Sequence, residues 1–489
     1  MHRARAPRGR VGAAAPPRLE CTLGPVATPL ATWDPRPELE AAAALGQALG
    51  QLGYTENAIV DRLGDDGPAA DLAEVPLFDR RLGARELDQV IRLLLLQLPV
   101  PRAAVRIAGL LEATGLAVEV ADTLVPRGRI VPTEGLYLAF DGFSQGLADP
   151  PGWVASFTPT SYWLASATPR PRVARALDVG TGNGAHALFA ARHADQVVAT
   201  DINPRALAFT AIGAALNGIH NVETRQGSLF EPAGEETFDL ITCNAPYVIS
   251  PESRWQYRDA GARGDSFSER VVREASAHLR PGGYAALVVS WLAESPDDPD
   301  RHVHGWLDGS GCDAWLLGLR GSDPVEHAAA WTDHLAGDPA AITTAFDSWI
   351  AYLDELEAAW VTEGVVVLHK RAGERHGLRA DPVDEDDLEH AGAQALRVLD
   401  AVALLAEGDL AGRTFRLVED AWFREELDRD GDVTDVTLSL DEGTHPELEL
   451  EPEEIDLLVD PDGITVETVG PELLRALLEL GFLETVSSR

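Results

Sequence analysis

Leu177-Asp178-Val179-Gly180-Thr181-Gly182-Asn183-Gly184 is the stretch that decides the fold of this chain. It follows Ala176–Val179, which reads as a short buried strand, and it precedes the helical run Ala185–Arg192. Glycine at every second position lets the backbone turn sharply and lets a ligand approach the main chain closely. The N–H groups at the start of the next helix then face that ligand. A dinucleotide loop would read Gly-x-Gly-x-x-Gly and seat a pyrophosphate. Here the spacing is Gly-x-Gly-x-Gly with Asp178 two residues upstream, which suits a cationic amino-acid sulfonium better than a diphosphate. Asp178 is expected to help hold the charged end, while the loop Gly180, Thr181, Gly182, Asn183 and Gly184 wraps it.

Working outward, strands alternate with helical runs. Gln196–Ile202, Val222–Gln226, Thr237–Cys243, Tyr284–Ser290 and Ala314–Leu319 read as short buried strands, and Gly364–His369 as a last edge strand. This is the grammar of a mostly parallel, doubly wound α/β sheet with helices on both faces. Val325 to Trp360 reads as a helical insertion, at about 325–360. Asp201 ends the second strand 23 residues after Asp178, where a carboxylate accepts hydrogen bonds from a ribose diol. The plainer reading of Asp201 is a helix-capping acid. Asn203-Pro204 reads as the cap and first position of the next helix.

Cys243-Asn244-Ala245-Pro246-Tyr247 closes the fourth strand. Ligands of open α/β sheets bind at the carboxyl ends of strands, so this loop is expected beside the glycine loop. Asn244 offers a carbonyl and an amide. Pro246 forces Ala245 toward an extended conformation, which aims its carbonyl. Tyr247 supplies a flat surface for a planar amide or base. Together they can grip an –NH2 group and turn its lone pair outward. An ordinary Asn-x-Pro turn with a core tyrosine is the alternative reading of the same residues.

Residues Ala176–Val248 resemble the class I methyltransferases of the release-factor glutamine methyltransferase (HemK-like) family. Leu177–Gly184, Thr200–Pro204, Gly227–Pro232 and Phe238–Tyr247 follow that pattern in order and spacing, and Leu279-Arg280-Pro281-Gly282-Gly283 extends it loosely. The resemblance implies a Rossmann-like fold and S-adenosylmethionine as cofactor, with further contacts at Ser228, Leu229 and Asn244. It implies that Asn244 and Tyr247 act in catalysis and that Asn244, Ala245, Pro246 and Tyr247 hold a substrate amide. Two positions depart: Ala245 stands where the family has its first proline, and Ser228 where an acid is common. Ribosomal-RNA guanine and DNA adenine methyltransferases are similar in the same motif. The leading expectation is therefore methylation of a protein glutamine on a translation factor or ribosomal component. A nucleic-acid base methyltransferase comes second, a small-molecule N-methyltransferase third, and a catalytically silent cofactor-fold protein is the remaining alternative. Catalysis is expected to be alignment for in-line displacement, so neither His186 nor His220 is given a role. A basic channel near Tyr247, from Arg254, Arg258 and Arg263, would favour RNA; a neutral or acid-lined cleft would favour a peptide.

The bulk of the 489-residue chain sets limits on these readings. It carries 40 basic and 79 acidic residues, a net charge of −39, which argues against a general affinity for phosphate backbones. Cys21, Cys243 and Cys312 lie far apart, so no disulfide framework, zinc site or other metal site is expected, and a reducing cytoplasm is the natural setting. No apolar run approaches the roughly 20 residues of a membrane helix. Residues 1–20 read as a disordered tail. Residues 21–145 read as a mostly helical domain, with N-caps and C-caps at Thr55 and Gly53 and a possible winged-helix order: helices Leu87–Leu98 and Ala103–Ala113, then strands Leu116–Val120, Arg129–Val131 and Leu136–Phe140. Residues 146–372 hold the catalytic core. Residues 373–489 contain 32 acidic and 9 basic residues, and are expected to fold as an acidic α+β domain that docks a basic partner or folds back on this chain's own arginines. Asp428-x-Asp430-Gly431-Asp432 followed by Asp435 looks like a calcium loop, but Val433 and Ser439 stand where such a loop needs Gly and Glu. It reads as a solvated turn.

Overall fold

Alternate residues of the central strands are buried on opposite faces, and both faces are apolar. Ala285, Leu287, Val289 and Trp291 join one core, while Ala286 and Val288 join another; Leu316 and Val366 side with the first, and Trp315, Leu317, Val365 and Val367 with the second. Such strands need cover on both sides. The architecture was obtained as a computed structural model, which describes residues 38–486 except 66, 68–71, 145–151, 253–260, 333–338, 374–376, 409 and 428–432. The expected terminal tail, Arg254, Arg258, Cys21 and the acid-rich turn at 428–432 lie outside the described residues.

The N-terminal part opens with α1 (Leu39–Leu52), α2 (Glu56–Leu63), α3 (Val75–Arg81) and α4 (Glu86–Leu94). As the residue types require, Gly53 ends α1 with φ +76°, and the Thr55 hydroxyl accepts from the N–H of Ala58 to cap α2. Then come β1 (Val100–Pro101), α5 (Ala108–Ala113), β2 (Ala117–Val120) and β3 (Thr123–Pro126), with β3 between β1 and β2 in one small antiparallel sheet. A second hairpin joins β4 (Arg129–Thr133) and β5 (Leu136–Phe140). The strands expected at 116–120 and 129–131 therefore do not pair with each other; each has its own hairpin partner. The single helix expected over 103–113 is a 3-10 turn at 102–104 followed by the shorter α5.

The core runs α6 (Pro159–Ala167), β6 (Val173–Val179), α7 (Ala185–Ala190), β7 (Ala194–Asp201), α8 (Pro204–Leu216), β8 (Val222–Gln226), β9 (Phe238–Cys243), α9 (Ser266–His278), β10 (Leu279–Ala293), α10 (Val303–Trp306), β11 (Cys312–Ser322), α11 (Pro324–Thr332), α12 (Pro339–Glu355) and β12 (Trp360–Lys370). With β13 (Leu378–Pro382) these strands form one eight-stranded sheet, in the order β13-β11-β12-β10-β9-β6-β7-β8. Strands β6 to β10 are parallel, and β12 is antiparallel to both neighbours. Two expectations are corrected. Gly364–His369 is not an edge strand but lies inside the sheet, as its uninterrupted burial demands. The edge on that side is β13, which comes from beyond residue 372. Successive strands leave β6 in opposite directions, β7 on one side and β9 on the other, so a crevice opens at their carboxyl ends.

The chain ends with α13 (Gly392–Glu407), β14 (Phe415–Leu417), β15 (Ala421–Leu427), β16 (Val433–Leu440), β17 (Glu447–Leu450), α14 (Glu454–Leu458), α15 (Val466–Glu479) and β18 (Leu483–Thr485). Leu388 and Ala391, just before helix α13, and Ala395, Val398 and Leu399 within it pack on the sheet core with Trp163 and Leu164 of α6. Among the described residues no helix is long and apolar enough to cross a membrane.

Candidate active site

The crevice at the switch point is a cleft of about 1090 Å³. Gly180, Thr181, Gly182 and Asn183 line it from the loop after β6, Asp201 and Ile202 from the end of β7, Ser228 and Leu229 from the loop after β8, and Asn244, Ala245, Pro246 and Tyr247 from the end of β9. Of the expected cofactor and acceptor residues (Asp178 and the glycine loop, Asp201, Ser228, Leu229 and Asn244–Tyr247), Asp178 and Gly184 alone do not line it.

Their positions show why. Asp178 is buried beneath the loop, where one oxygen accepts from the Thr181 hydroxyl at 2.7 Å and the Ala187 N–H at 3.1 Å, and the other from the Thr242 hydroxyl at 2.8 Å. Burial lifts its carboxyl to about 6, against those three hydrogen bonds. Its role is to tie the loop to β9 and to the start of α7. Gly184 packs behind the loop; a Cβ there would lie 3.0 Å from the backbone and side chain of Thr210. Gly180, Gly182 and Gly184 all have positive φ, at +67°, +56° and +85°, which side chains resist.

Asp201 accepts from the N–H of Gly182 at 3.0 Å and of Asn203 at 2.8 Å. Burial raises its pKa, against those backbone hydrogen bonds. A carboxylate has about four lone-pair sites, so a diol can still donate to it. The next residue, Ile202, is 56% exposed although large and apolar, and it lies in the cleft wall. It offers a greasy face beside Leu229, whose backbone is held in the left-handed region at φ +48° with its carbonyl bonded by the Thr200 hydroxyl.

The segment before α6 closes one side. The N–H of Val154 donates to buried Asp141, the Asn203 amide to the carbonyl of Gly152, and the Asn183 amide to the carbonyl of Ala155. Asp141 is in turn paired with Arg205 of α8. Asn244 donates its amide to the Ser161 hydroxyl at 3.2 Å. Ser161 sits in the first turn of α6, inside a capping box with Thr158. Thr160 hydrogen-bonds the Tyr247 hydroxyl, whose pKa is raised chiefly by burial, and the Ser290 hydroxyl donates to the Tyr247 carbonyl. Cys243, one position before the motif, is buried and pushed up to about 12, so it is no nucleophile. His186 also lines the cleft, but burial lowers it to about 3 and keeps the ring neutral. His220 is exposed on the surface.

The residues missed in the sequence are of two kinds. Ile202 had a signal: an apolar residue directly after the acid that ends a strand. Ser161, Arg270, Arg320 and Trp331 had none, because only the fold carries them to the cleft. Among the described residues no cluster of metal-ligating groups occurs.

The cleft fits S-adenosylmethionine. A loop of positive-φ glycines with a bare backbone, a carboxylate at the end of the neighbouring strand and an exposed apolar residue beside it would take an amino-acid end, a ribose and an adenine in turn.

Residues 156–297 match the methyltransferase small domain family. Release factor glutamine methyltransferases of Xylella fastidiosa (strain Temecula1) and Geobacter sulfurreducens are 36% and 37% identical to this chain over 129 residues each. These alignments cover 24% and 23% of this chain and 47% and 44% of theirs. A ribosomal protein uL3 glutamine methyltransferase of Bradyrhizobium diazoefficiens is 36% identical over 124 residues, 23% of this chain and 39% of its own. The chain thus spans less than half the length of these relatives. The matched core is a class I S-adenosylmethionine-dependent methyltransferase domain.

Proposed function

We propose that this chain is an N-methyltransferase whose acceptor is the side-chain amide of a glutamine in a protein of the translation machinery. The observation that carries the reading is that Asn244–Tyr247 and the glycine loop with Asp201 line one cleft, so an acceptor at the first lies beside a cofactor at the second. When bound, S-adenosylmethionine supplies a methyl group on a positively charged sulfonium. The chain's own part is to hold and aim the acceptor. Asn244 spends its amide on Ser161, which leaves the carboxamide oxygen to accept an N–H of the substrate. Pro246 fixes the direction of the Ala245 carbonyl for the second N–H. With both hydrogens gripped, the nitrogen lone pair points to the remaining side, where alignment supplies most of the rate gain.

Charge favours a protein acceptor over a nucleic acid. Among the described residues the arginines that line the cleft are paired, Arg270 with Glu274 and Arg320 with Glu385, and so is Arg263 beside it, with Glu355. The small N-terminal sheet carries Glu119 and Asp122 at its tip, and α5 (Ala108–Ala113) contains no lysine or arginine. Phosphate contacts draw on clustered free cations.

The test is transfer of radiolabelled methyl from the cofactor to fractionated cell extract. Label in protein, recovered as N-methylglutamine after digestion, supports the proposal. Label confined to RNA moves the acceptor to a base, and no label in any fraction overturns the enzymatic reading.

A further inference from the structure

The acceptor loop is buttressed by α11 and α12, which lie between β11 and β12. A ring nitrogen of His327 lies 3.2 Å from the carbonyl of Ile249. Burial holds that imidazole down at about 4, so it donates as a neutral ring. The Trp349 indole is fully buried against Val248 and Ala328, and donates to Glu252 at 3.3 Å. Leu353 packs on Ile249. Trp331, near the end of α11, rests on the same Val248–Ala328–Trp349 cluster as Tyr247 and lines the cleft with it. Its indole N–H donates at 3.1 Å to Glu363 of β12.

Glu363 is 3% exposed, and Arg320 stands opposite it in the register of β11 on β12, with 3.6 Å between their charged atoms. Arg320 is itself set over the Trp163 ring at 5.0 Å. A buried carboxylate that accepts an indole N–H fixes the ring in one rotamer. It also uses up the ring's polar handle, so what Trp331 can show the cleft is an apolar π-face.

We propose that Trp331, set by Glu363, is the specificity-determining wall of the acceptor pocket, and that it forms with Tyr247 an aromatic pair that receives the planar group bearing the –NH2. This rests on the planar-nitrogen reading above. Glu363 is the positioning residue and acts only through the indole. The pair selects flat, uncharged acceptors by stacking, and Asn244 then grips the hydrogens at their edge.

The experiment uses the full chain with S-adenosylhomocysteine bound and three planar probes: N-acetylglutamine amide, adenosine and guanosine. Probe affinity is read by saturation-transfer NMR, and S-adenosylhomocysteine affinity by calorimetry. For whichever probe the wild type binds, Trp331→Ala should weaken it by about tenfold or more, the scale of losing one aromatic stacking partner. Trp331→Phe keeps an aromatic face but loses the N–H that Glu363 holds, so it should weaken the probe less than Trp331→Ala does. Glu363→Ala should weaken the probe, and Glu363→Gln should restore it, since the amide oxygen still accepts the indole N–H. Cofactor affinity should stay within about twofold throughout; stacking losses act on the acceptor alone. Equal probe affinity in Trp331→Ala and wild type overturns the proposal, as does a cofactor loss that matches the probe loss. If Trp331→Ala fails to fold, failure of Trp331→Phe or Glu363→Gln to bind the probe overturns it as well. A wild type that binds none of the three probes sinks the planar-nitrogen reading itself, and this proposal falls with it.

Discussion

Replacing Glu363 by Gln should remove the pH trend set by one buried site, and the structure sets the size of the effect. Desolvation lifts the Glu363 carboxyl from 4.5 to about 7, while Arg320 and the Trp331 N–H pull it down and Glu385 pushes it up. The folded-state value lies above the unfolded one, so the native state binds the extra proton in the window between them. Stability is then untouched below pH 4.5, falls as pH rises through the window, and carries the full cost above pH 7. At 1.36 kcal/mol per tenfold, the whole displacement costs about 3 kcal/mol. Between pH 5.5 and 8 the share of that cost that develops is about 2 kcal/mol. The glutamine of the variant would not titrate, and its oxygen can still accept from Trp331. Urea unfolding of wild type and Glu363→Gln across that range isolates the site, because all other groups cancel in the difference. The wild type should lose about 2 kcal/mol relative to the variant as pH rises. A difference constant to within about 0.5 kcal/mol would show a solvated carboxylate. A wild type that gains on the variant would show that the Arg320 pair outweighs burial. Either result refutes the reasoning.

Three further outcomes are expected. Asn244→Ala should lose most methyl transfer while S-adenosylhomocysteine affinity falls much less; proportionate losses would assign Asn244 to the cofactor instead. Asp201→Ala and Gly182→Val should both weaken cofactor binding by calorimetry, and Asp201→Ala should also cost about 1–3 kcal/mol of stability by leaving the N–H groups of Gly182 and Asn203 without their acceptor. Unchanged affinity in both would sink the placement of the ribose and methionine ends. Truncation after Ala372 should give an unfolded or aggregated chain rather than a working core, since it removes β13 and α13 from the sheet. A soluble 1–372 fragment that binds cofactor would refute that.

What could be read in the sequence was local. The glycine loop needs positive φ at three alternate positions, and a chain signals that need with glycine. Asp201 and Asn244 follow from it, because strand ends in a parallel sheet fall side by side and short buried strands announce their ends. Strand neighbours are another matter. Val365 to Leu368 is apolar on both faces, which says that the strand is covered but not that it lies between β10 and β11. Leu378–Pro382 carries Arg379 and Asp381, which pair with each other, and so does not read as strand at all. An edge strand tolerates such charges because one flank stays open. Trp331 and Glu363 are 32 residues apart, and nothing in their spacing brings them together; the antiparallel return of β12 past β11 does.

The same reasoning bears on where the catalytic unit ends. The sequence reads as separate domains over 21–145, 146–372 and 373–489, yet the central one borrows its cover from both neighbours. On one side α1 meets α8 so closely that a Cβ on Gly46 would lie 1.8 Å from the carbonyl oxygen of Leu216, and Leu45, Leu49, Phe209 and Ile212 share one apolar cluster. On the other side Gly392, at the start of α13, leaves room for the carbonyl of Thr168, where a Cβ would come within 2.1 Å. Contacts this close exclude water and tolerate little sliding, which separable docking domains require. Part of the acidic charge is spent in the same direction: Glu385 pairs with Arg320 of β11, and Asp400 with Arg371 just past β12. Arg320 is the cation beside Glu363, so the acidic segment reaches, through one arginine, the carboxylate that holds Trp331. The segment therefore bears on the acceptor pocket from inside the fold, whatever its remaining carboxylates meet outside.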